Sequence, residues 1–392
     1  MPVSKHSSIT LPAVSHVSAG FVAVLVGFAS AVVIVIQAAQ VTGANSTEIG
    51  SWILALGLGM GLTSIGLSLY YREPVLTAWS TPGAALLVTG LGGIGLSDAT
   101  GAFLFSGLLI VLVGVSGVFE RLMHHVPGSL ASAMLAGILL QFGLQAFTAM
   151  HQDFSLVALM LLTYLVGKRL RPRYVIPLVL IVGLLYIAFS GQLHGHSVHL
   201  ALARPVFTWP SFSLPVLISV GVPLFIVTMT SQNIPGLAVL RANGYQTPIS
   251  PLLTVTGLAT LILAPFGGFA LNLSAITAAI CLGEEAGAER NTRYLATVAG
   301  GFFYILIGLF GATIAALFAA LPQAYVFALA GLALLGTIGN SLHGALNDAK
   351  DREAALVTFL VTASGLTLLG IGGAFWGLVA RSGDSLRESL RG

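Results

Sequence analysis

Two apolar stretches, each interrupted by Pro and Gly, constrain this chain more than any other feature. Residues 265–283 begin Pro265-Phe266-Gly267-Gly268, turn helix-prone at about Asn272, and end at the charged loop that Glu284 opens. The helical part is about 10 residues, or about 15 Å at 1.5 Å per residue. A bilayer core of about 30 Å needs about 20 helical residues. Residues 74–92 repeat the pattern 191 positions earlier, with Pro74, a β-type run and a helix opening at Ser80-Thr81-Pro82. Thr81 reads as the N-cap with Pro82 at the first helical position, and Asn272 takes the cap role in the later copy. Short, broken segments in corresponding halves of a chain point to the binding site of an inverted-repeat carrier.

Composition fixes the compartment. Hydrophobic residues make up 56% of the 392 and charged residues only 7%, against about 25% charged in a soluble domain. The chain is therefore a polytopic, all-α membrane protein. The net charge of +3 reads as topology signal rather than attraction to an acidic partner. No basic cluster is interleaved with aromatics, which excludes nucleic acid as a partner. Cys281 is the single cysteine, so there is no disulfide framework and no Cys-based metal site. The first apolar run is long enough to span and reads as a retained helix.

Fourteen segments can be placed: 17–40, 49–69, 74–91, 97–118, 128–148, 154–167, 174–190, then 215–240, 249–264, 265–282, 292–319, 323–342, 353–365 and 367–380. Segments 3 and 10 are the broken ones. With Lys5 in the cytoplasm and a crossing at every segment, 15 of the 16 Lys/Arg residues fall inside, Arg204 being the exception, as the positive-inside rule requires. Both termini are then cytoplasmic. Seven spans per half is odd, so the halves are inverted. Residues 1–190 form the first repeat, 191–213 an outer loop and 214–392 the second repeat.

Each broken segment begins extended and becomes helical near mid-membrane, so two helix N-termini point at one another across a gap. Each carries about half a positive charge and several free N–H donors, which makes an anion site without a fixed cation. Ser80, Thr81, Asn272 and Ser274 add neutral hydrogen-bonding groups. Gln37 and Gln232 sit 195 residues apart, near the repeat offset, with Asn233 beside the second. Buried amides in membrane helices face the bundle interior as substrate contacts or as helix–helix glue. Phe28, Trp79, Phe225, Phe266 and Phe269 are candidates for an aromatic slot. His194, His196 and His199 have a spacing compatible with a metal, but in a polar loop they read as solvated. His124, His125 and His343 lie near cytoplasmic ends, where a relay role competes with simple solvation. No metal or cofactor is expected.

The run Ser80-Thr81-Pro82-Gly83-Ala84-Ala85-Leu86-Leu87, residues 228–245 (TMTSQNIPGLAVLRANGY) and residues 267–283 (GGFALNLSAITAAICLG) resemble the benzoate:proton symporter family. That family is related more distantly to uracil permeases and nucleobase–ascorbate transporters. The resemblance covers most of the chain. It implies seven-plus-seven inverted repeats with a core (here 17–118 and 215–319) and a gate (128–190 and 323–380). It also implies benzoate uptake with protons across a bacterial inner membrane, the core moving against the gate to alternate access. The uracil-permease relatives carry membrane-embedded glutamates on segments eight and ten. Here those places fall at Gln232-Asn233-Ile234-Pro235 and about Leu271, which suits an anionic substrate and leaves no visible proton carrier.

The expected partners are a benzoate-like anion, protons, the bilayer and, in a homodimer, a second copy. Within the same class the alternatives are another small anion or a nucleobase. A passive anion channel is the alternative from a different class. An enzyme is disfavoured because no carboxylate pair, metal-ligand set or activated nucleophile lies at membrane depth. The absence of a GxxxxGK[ST] loop argues against ATP-driven pumping.

Overall fold

The computed structural model describes residues 14–119, 128–170, 175–192, 200–274, 277–283, 286–364, 366–368 and 371–372. The first half comprises α1 (Val14–Val41), α2 (Ser46–Tyr71), β1 (Thr77–Trp79), α3 (Thr81–Gly90), α4 (Leu96–Ser116), α5 (Gly128–Thr148), α6 (Phe154–Leu170) and α7 (Val175–Phe189). The second comprises the helical run α8 (Leu214–Arg241), α9 (Ile249–Leu263), β2 (Leu271–Leu273), α10 (Ala278–Leu282), α11 (Tyr294–Leu309), α12 (Gly311–Ala319), α13 (Gln323–Leu346) and α14 (Arg352–Ala363). Among the described residues seven helices are individually long and apolar enough to cross a membrane. An eighth is added if the two halves of α1, bent by 42° between Ala29 and Ala31, count as one.

The chain is not purely helical. β1 and β2 pair antiparallel, Thr77 with Leu273, Ala78 with Asn272 and Trp79 with Leu271. A two-stranded ribbon leaves both outer edges unpaired, and such groups are costly where water is scarce. Neighbouring helices supply the missing partners. The Ser64 hydroxyl of α2 accepts from Thr77 N–H at 3.0 Å, and Ser68 accepts from Val75 N–H at 3.2 Å. Across the ribbon, Thr260 of α9 accepts from Leu271 N–H at 3.1 Å, and Asn233 of α8 accepts from Leu273 N–H at 3.0 Å. The Thr77 hydroxyl is itself locked between Thr63 at 2.7 Å and Ser64 at 2.8 Å. The ribbon is thus held by side chains on three helices.

Packing around it is paired. α2 lies along α11 and α4 along α9, while α5 packs on α13 and α14. A Cβ on Gly57 of α2 would fall 2.6 Å from the Gly308 Cα of α11. Small residues there let two backbones touch, which is how helices associate without a hydrophobic drive between them. α1 contacts α3 and α11 on one side and α7 and α13 on the other, so it runs along the seam between two groups of helices.

α8 contains two π turns, Leu217–Gly221 and Met229–Asn233, followed two residues later by Pro223 and Pro235. Proline has no N–H and its ring presses on the carbonyl four residues back, so the helix widens upstream of each. The described part of the stretch expected as a last helix, 367–380, is instead extended, β3 (Thr367–Leu368) pairing with β4 (Ile371–Gly372). Its Gly370-Ile371-Gly372-Gly373 run is poor helix-forming sequence.

Candidate functional site

β1 leads directly into α3. Ser80 is the N-cap, with extended backbone (φ −80, ψ 99), and its Oγ accepts from Gly83 N–H at 3.0 Å. This corrects the expectation that Thr81 caps: Thr81 is already helical. Pro82 donates nothing, so the nearest first-turn N–H that a cap can take is that of Gly83. The Ala84 N–H goes to Ser80 O at 2.7 Å. Of the several free donors expected at this helix end, Thr81 N–H is the one that no described hydrogen bond uses. The Thr81 side chain is half-buried.

The later copy is built differently. Asn272 is not a helix cap but the middle residue of β2, opposite Ala78. The physical reason is the ribbon, which extends the backbone through Leu273. Asn272 is fully buried, and its Nδ2 donates to Ala270 O at 2.8 Å. Its Oδ1 is buried with no hydrogen-bond partner. Ser274 N–H donates to Leu76 O at 2.9 Å, and its hydroxyl meets that of Thr277 just before α10. Ser80 lies four residues beyond Leu76, so it stands about 13 Å from Ser274 at the 3.3 Å rise of a strand. The ribbon lies between the two ends, where an open gap was expected.

Asn233 is committed on both sides, its Oδ1 to Leu273 N–H and its Nδ2 to Met229 Sδ at 3.2 Å. It anchors β2 rather than facing open space. Gln232, in the same π turn, is half-buried. Gln37 is not part of this assembly. Gly27 of α1 lies against Thr277 and Tyr304, and Gln37 is ten residues further on, about 15 Å along a helix. It lines a separate cavity with Gln40 and Gln323.

Of the aromatic candidates, Phe28 and Trp79 meet beside the Ser80 cap, with ring centroids 5.6 Å apart. Phe269 is sealed against Trp52 and Phe103, and Phe266 packs on Phe207. Phe225 is buried in α8. His124, His125, His194, His196 and His199 lie outside the described residues, and among the described residues no group of acids, histidines and cysteine could hold a metal. Sequence reasoning missed the hydroxyls of Thr63, Ser64, Ser68 and Thr260. Their signal was a set of small polar residues inside apolar helices flanking each broken stretch.

A bundle of long apolar helices around a buried polar ribbon has the architecture of a membrane transporter. Solved structures with this fold are the transmembrane domain of a cyanobacterium bicarbonate transporter, BicA (TM-score 0.59, 12% identity, 94% of this chain and 97% of that one), and the murine anion transporter Slc26a9 in its inward-facing state (TM-score 0.59, 11% identity, 98% and 69%). At such identities the likeness is of fold. The chain belongs to the benzoate membrane transport protein family, which matches residues 11–385. It is 52% identical to the inner membrane protein YdcO of Escherichia coli K12 over 362 residues, covering 92% of this chain and 93% of that one. It is 41% identical to the benzoate membrane transport protein of Acinetobacter baylyi over 360 residues, covering 92% and 91%.

Proposed function

We propose that this chain imports benzoate or a similar aromatic carboxylate together with a proton, by alternating access across a bacterial inner membrane. The observation that carries the reading is the buried, unpartnered Asn272 Oδ1 in a ribbon that runs directly into the N-terminus of α3 at Thr81. A carboxyl group in its acid form offers both complements: its hydroxyl donates to Asn272 Oδ1 and its carbonyl oxygen accepts from Thr81 N–H, with the α3 dipole behind it. Phe28 and Trp79 supply ring contact. Gln232 and Ser274 flank the ribbon, and Ser80 and Asn233 hold its geometry.

This reading also places the coupled proton. In it the proton travels on the substrate carboxyl itself, which agrees with no Asp or Glu among the described residues being buried. Carboxylic acids titrate near 4, so at neutral pH each molecule bound as the acid has taken up one proton. Carrying the bare anion inward against a negative potential would cost about 2.3 kcal/mol per 100 mV, and the proton removes that cost. A nucleobase, the rival substrate on such a fold, presents alternating donors and acceptors that two amides would suit, whereas the family assignment favours the aromatic acid.

The packing supports a seven-plus-seven arrangement with a core of 17–118 and 215–319 and a gate of 128–190 and 323–380. Exchanging equivalent segments turns the α2–α11 pair into the α9–α4 pair, and both pairs are present. The test is uptake of radiolabelled benzoate into proteoliposomes near pH 7 under an inward proton gradient, with empty liposomes subtracted. Saturable accumulation above the unenergised level, lost in Asn272→Ala and weakened in Gln232→Ala, is the expected result. Non-saturable flux that never concentrates benzoate would instead mark a passive channel. Uptake equal to empty liposomes would remove benzoate as the substrate.

A further inference from the structure

A cavity of about 200 Å³ lies at the Val41 end of α1, between that helix and the α12–α13 corner. Val33, Ile36, Leu321 and Val326 form its apolar wall, and Phe318 and Phe327 bring two rings. Its polar groups are three carboxamides, Gln37 and Gln40 from α1 and Gln323 from the start of α13. Gln37 is 8% exposed, and neither its Nε2 nor its Oε1 has a hydrogen-bond partner. Leaving a carboxamide buried and unpaired is costly, so helix–helix glue does not explain Gln37: it glues to nothing. The wall carries no charged residue. The adjoining cavity of about 400 Å³, which shares Gln323, contains Asp153. That carboxylate is already occupied by Gln192 Nε2 and Leu156 N–H, both at 2.9 Å.

We propose that this cavity is a second binding site for an aromatic carboxylate, a loading site on the seam between the two helix groups, with Gln37 Nε2 donating to the carboxylate. The size fits, since a dry cavity of about 150 Å³ admits a benzene ring. So does the chemistry: amide N–H groups meet a carboxylate without the attraction of a fixed cation that would hold it too long, while aliphatic and aromatic walls take the ring. The site stands about 15 Å along α1 from the ribbon, so both can be filled together. The choice of ligand class rests on the transport reading above.

The test is equilibrium binding of radiolabelled benzoate at pH 7 to the full chain in lipid nanodiscs, with melting curves as the check on folding. Wild type is expected to bind two equivalents, Gln37→Leu one, Asn272→Ala one, and the double variant none. Gln37→Leu is also expected to melt no lower than wild type without ligand, because it removes an unpaired amide; a glue residue would melt lower. Val33→Phe fills the cavity while keeping Gln37, and is expected to bind one equivalent, which decides the matter if Gln37→Leu fails to fold. One equivalent in wild type, lost in Asn272→Ala and kept in Gln37→Leu and Val33→Phe, would overturn the second site and leave the ribbon site standing. One equivalent lost in Gln37→Leu and Val33→Phe but kept in Asn272→Ala would support the cavity and sink the ribbon reading. No binding to wild type would overturn both.

Discussion

The Asn233 side-chain oxygen accepts the Leu273 backbone N–H at 3.0 Å, joining a π turn in α8 to a strand 40 residues later. Neither group has another way to be satisfied at that depth: Leu273 is on the outer edge of its ribbon, and Asn233 is fully buried. Asn233→Leu leaves that N–H without an acceptor, at a cost of about 1–3 kcal/mol. We expect a lower melting temperature in detergent and lost uptake. Asn233→Asp keeps the acceptor but puts a carboxylate beside the proposed substrate site, so it should retain more of the melting temperature than Asn233→Leu while still failing in transport. Equal melting losses in the two variants would show that the acceptor is not what matters.

Ser80 closes α3 through its hydroxyl on Gly83 N–H. Losing an N-cap hydroxyl costs about 1 kcal/mol. Ser80→Ala should therefore lower stability by that order and weaken benzoate uptake mainly through its apparent affinity, because the helix end beside Thr81 loses definition. Ser80→Asp could also cap, but its carboxylate would compete with the proposed substrate carboxyl for the donors at this helix end. Full uptake by the Asp variant would contradict an acid- or anion-binding role for this end of α3.

Ala270 has φ +42, a left-handed conformation that side chains adopt reluctantly. Its carbonyl takes the Asn272 Nδ2, so the strained residue sets the orientation of the proposed substrate acceptor. The left-handed penalty is about 1–2 kcal/mol, partly offset in Ala270→Gly by the greater freedom of glycine in the unfolded chain. Ala270→Gly should melt at or slightly above wild type, whereas the β-branched Ala270→Val should melt well below it. A Gly variant as unstable as the Val variant would mean that the methyl group, buried as it is, outweighs the backbone strain.

Much of this was legible in sequence because the relevant signals are local. Long apolar runs announce membrane helices, and the motifs around Ser80, Asn233 and Asn272 announce the family. What was not legible is what depends on pairing across the chain. Thr81 looked like the cap because Pro82 follows it, but the cap is decided by which hydroxyl can reach the Gly83 N–H. Asn272 looked like a cap because a helix-prone run follows, yet its backbone is fixed by the pairing of its strand with residues 76–79. Gln37 and Gln232 looked like repeat mates by spacing alone. Gln37 lies ten residues along α1 from the turn that meets Thr277 and Tyr304, so helical rise keeps it away from the ribbon.

The sidedness of the broken segments can be read from their ends. α2 has 26 residues, about 39 Å at the helical rise, and its two ends meet different loops. Near its start, Ser51 bonds Val206 and Phe266, and Thr208 N–H bonds Pro265 O at 2.7 Å. Past its end, Glu73 takes the Thr247 hydroxyl. There too the Tyr245 phenol, raised above its ordinary pKa mainly by burial and so neutral, donates to Arg290 O at 3.1 Å. Ser211 N–H bonds Ser97 O at 3.0 Å on the same side as Thr208, so residues 73–97 and 265–290 would each run from one end of α2 to the other. In a Cys281→Ala background, Gln246→Cys should react with a membrane-impermeant maleimide only after the cytoplasmic face is opened, and Trp209→Cys should react in intact cells. If neither broken segment crosses, the loop count reverses both results: Trp209→Cys becomes protected and Gln246→Cys reacts from outside. Mixed accessibility at either position would mean the chain inserts in two orientations, and the positive-inside reading of its arginines would fail with it.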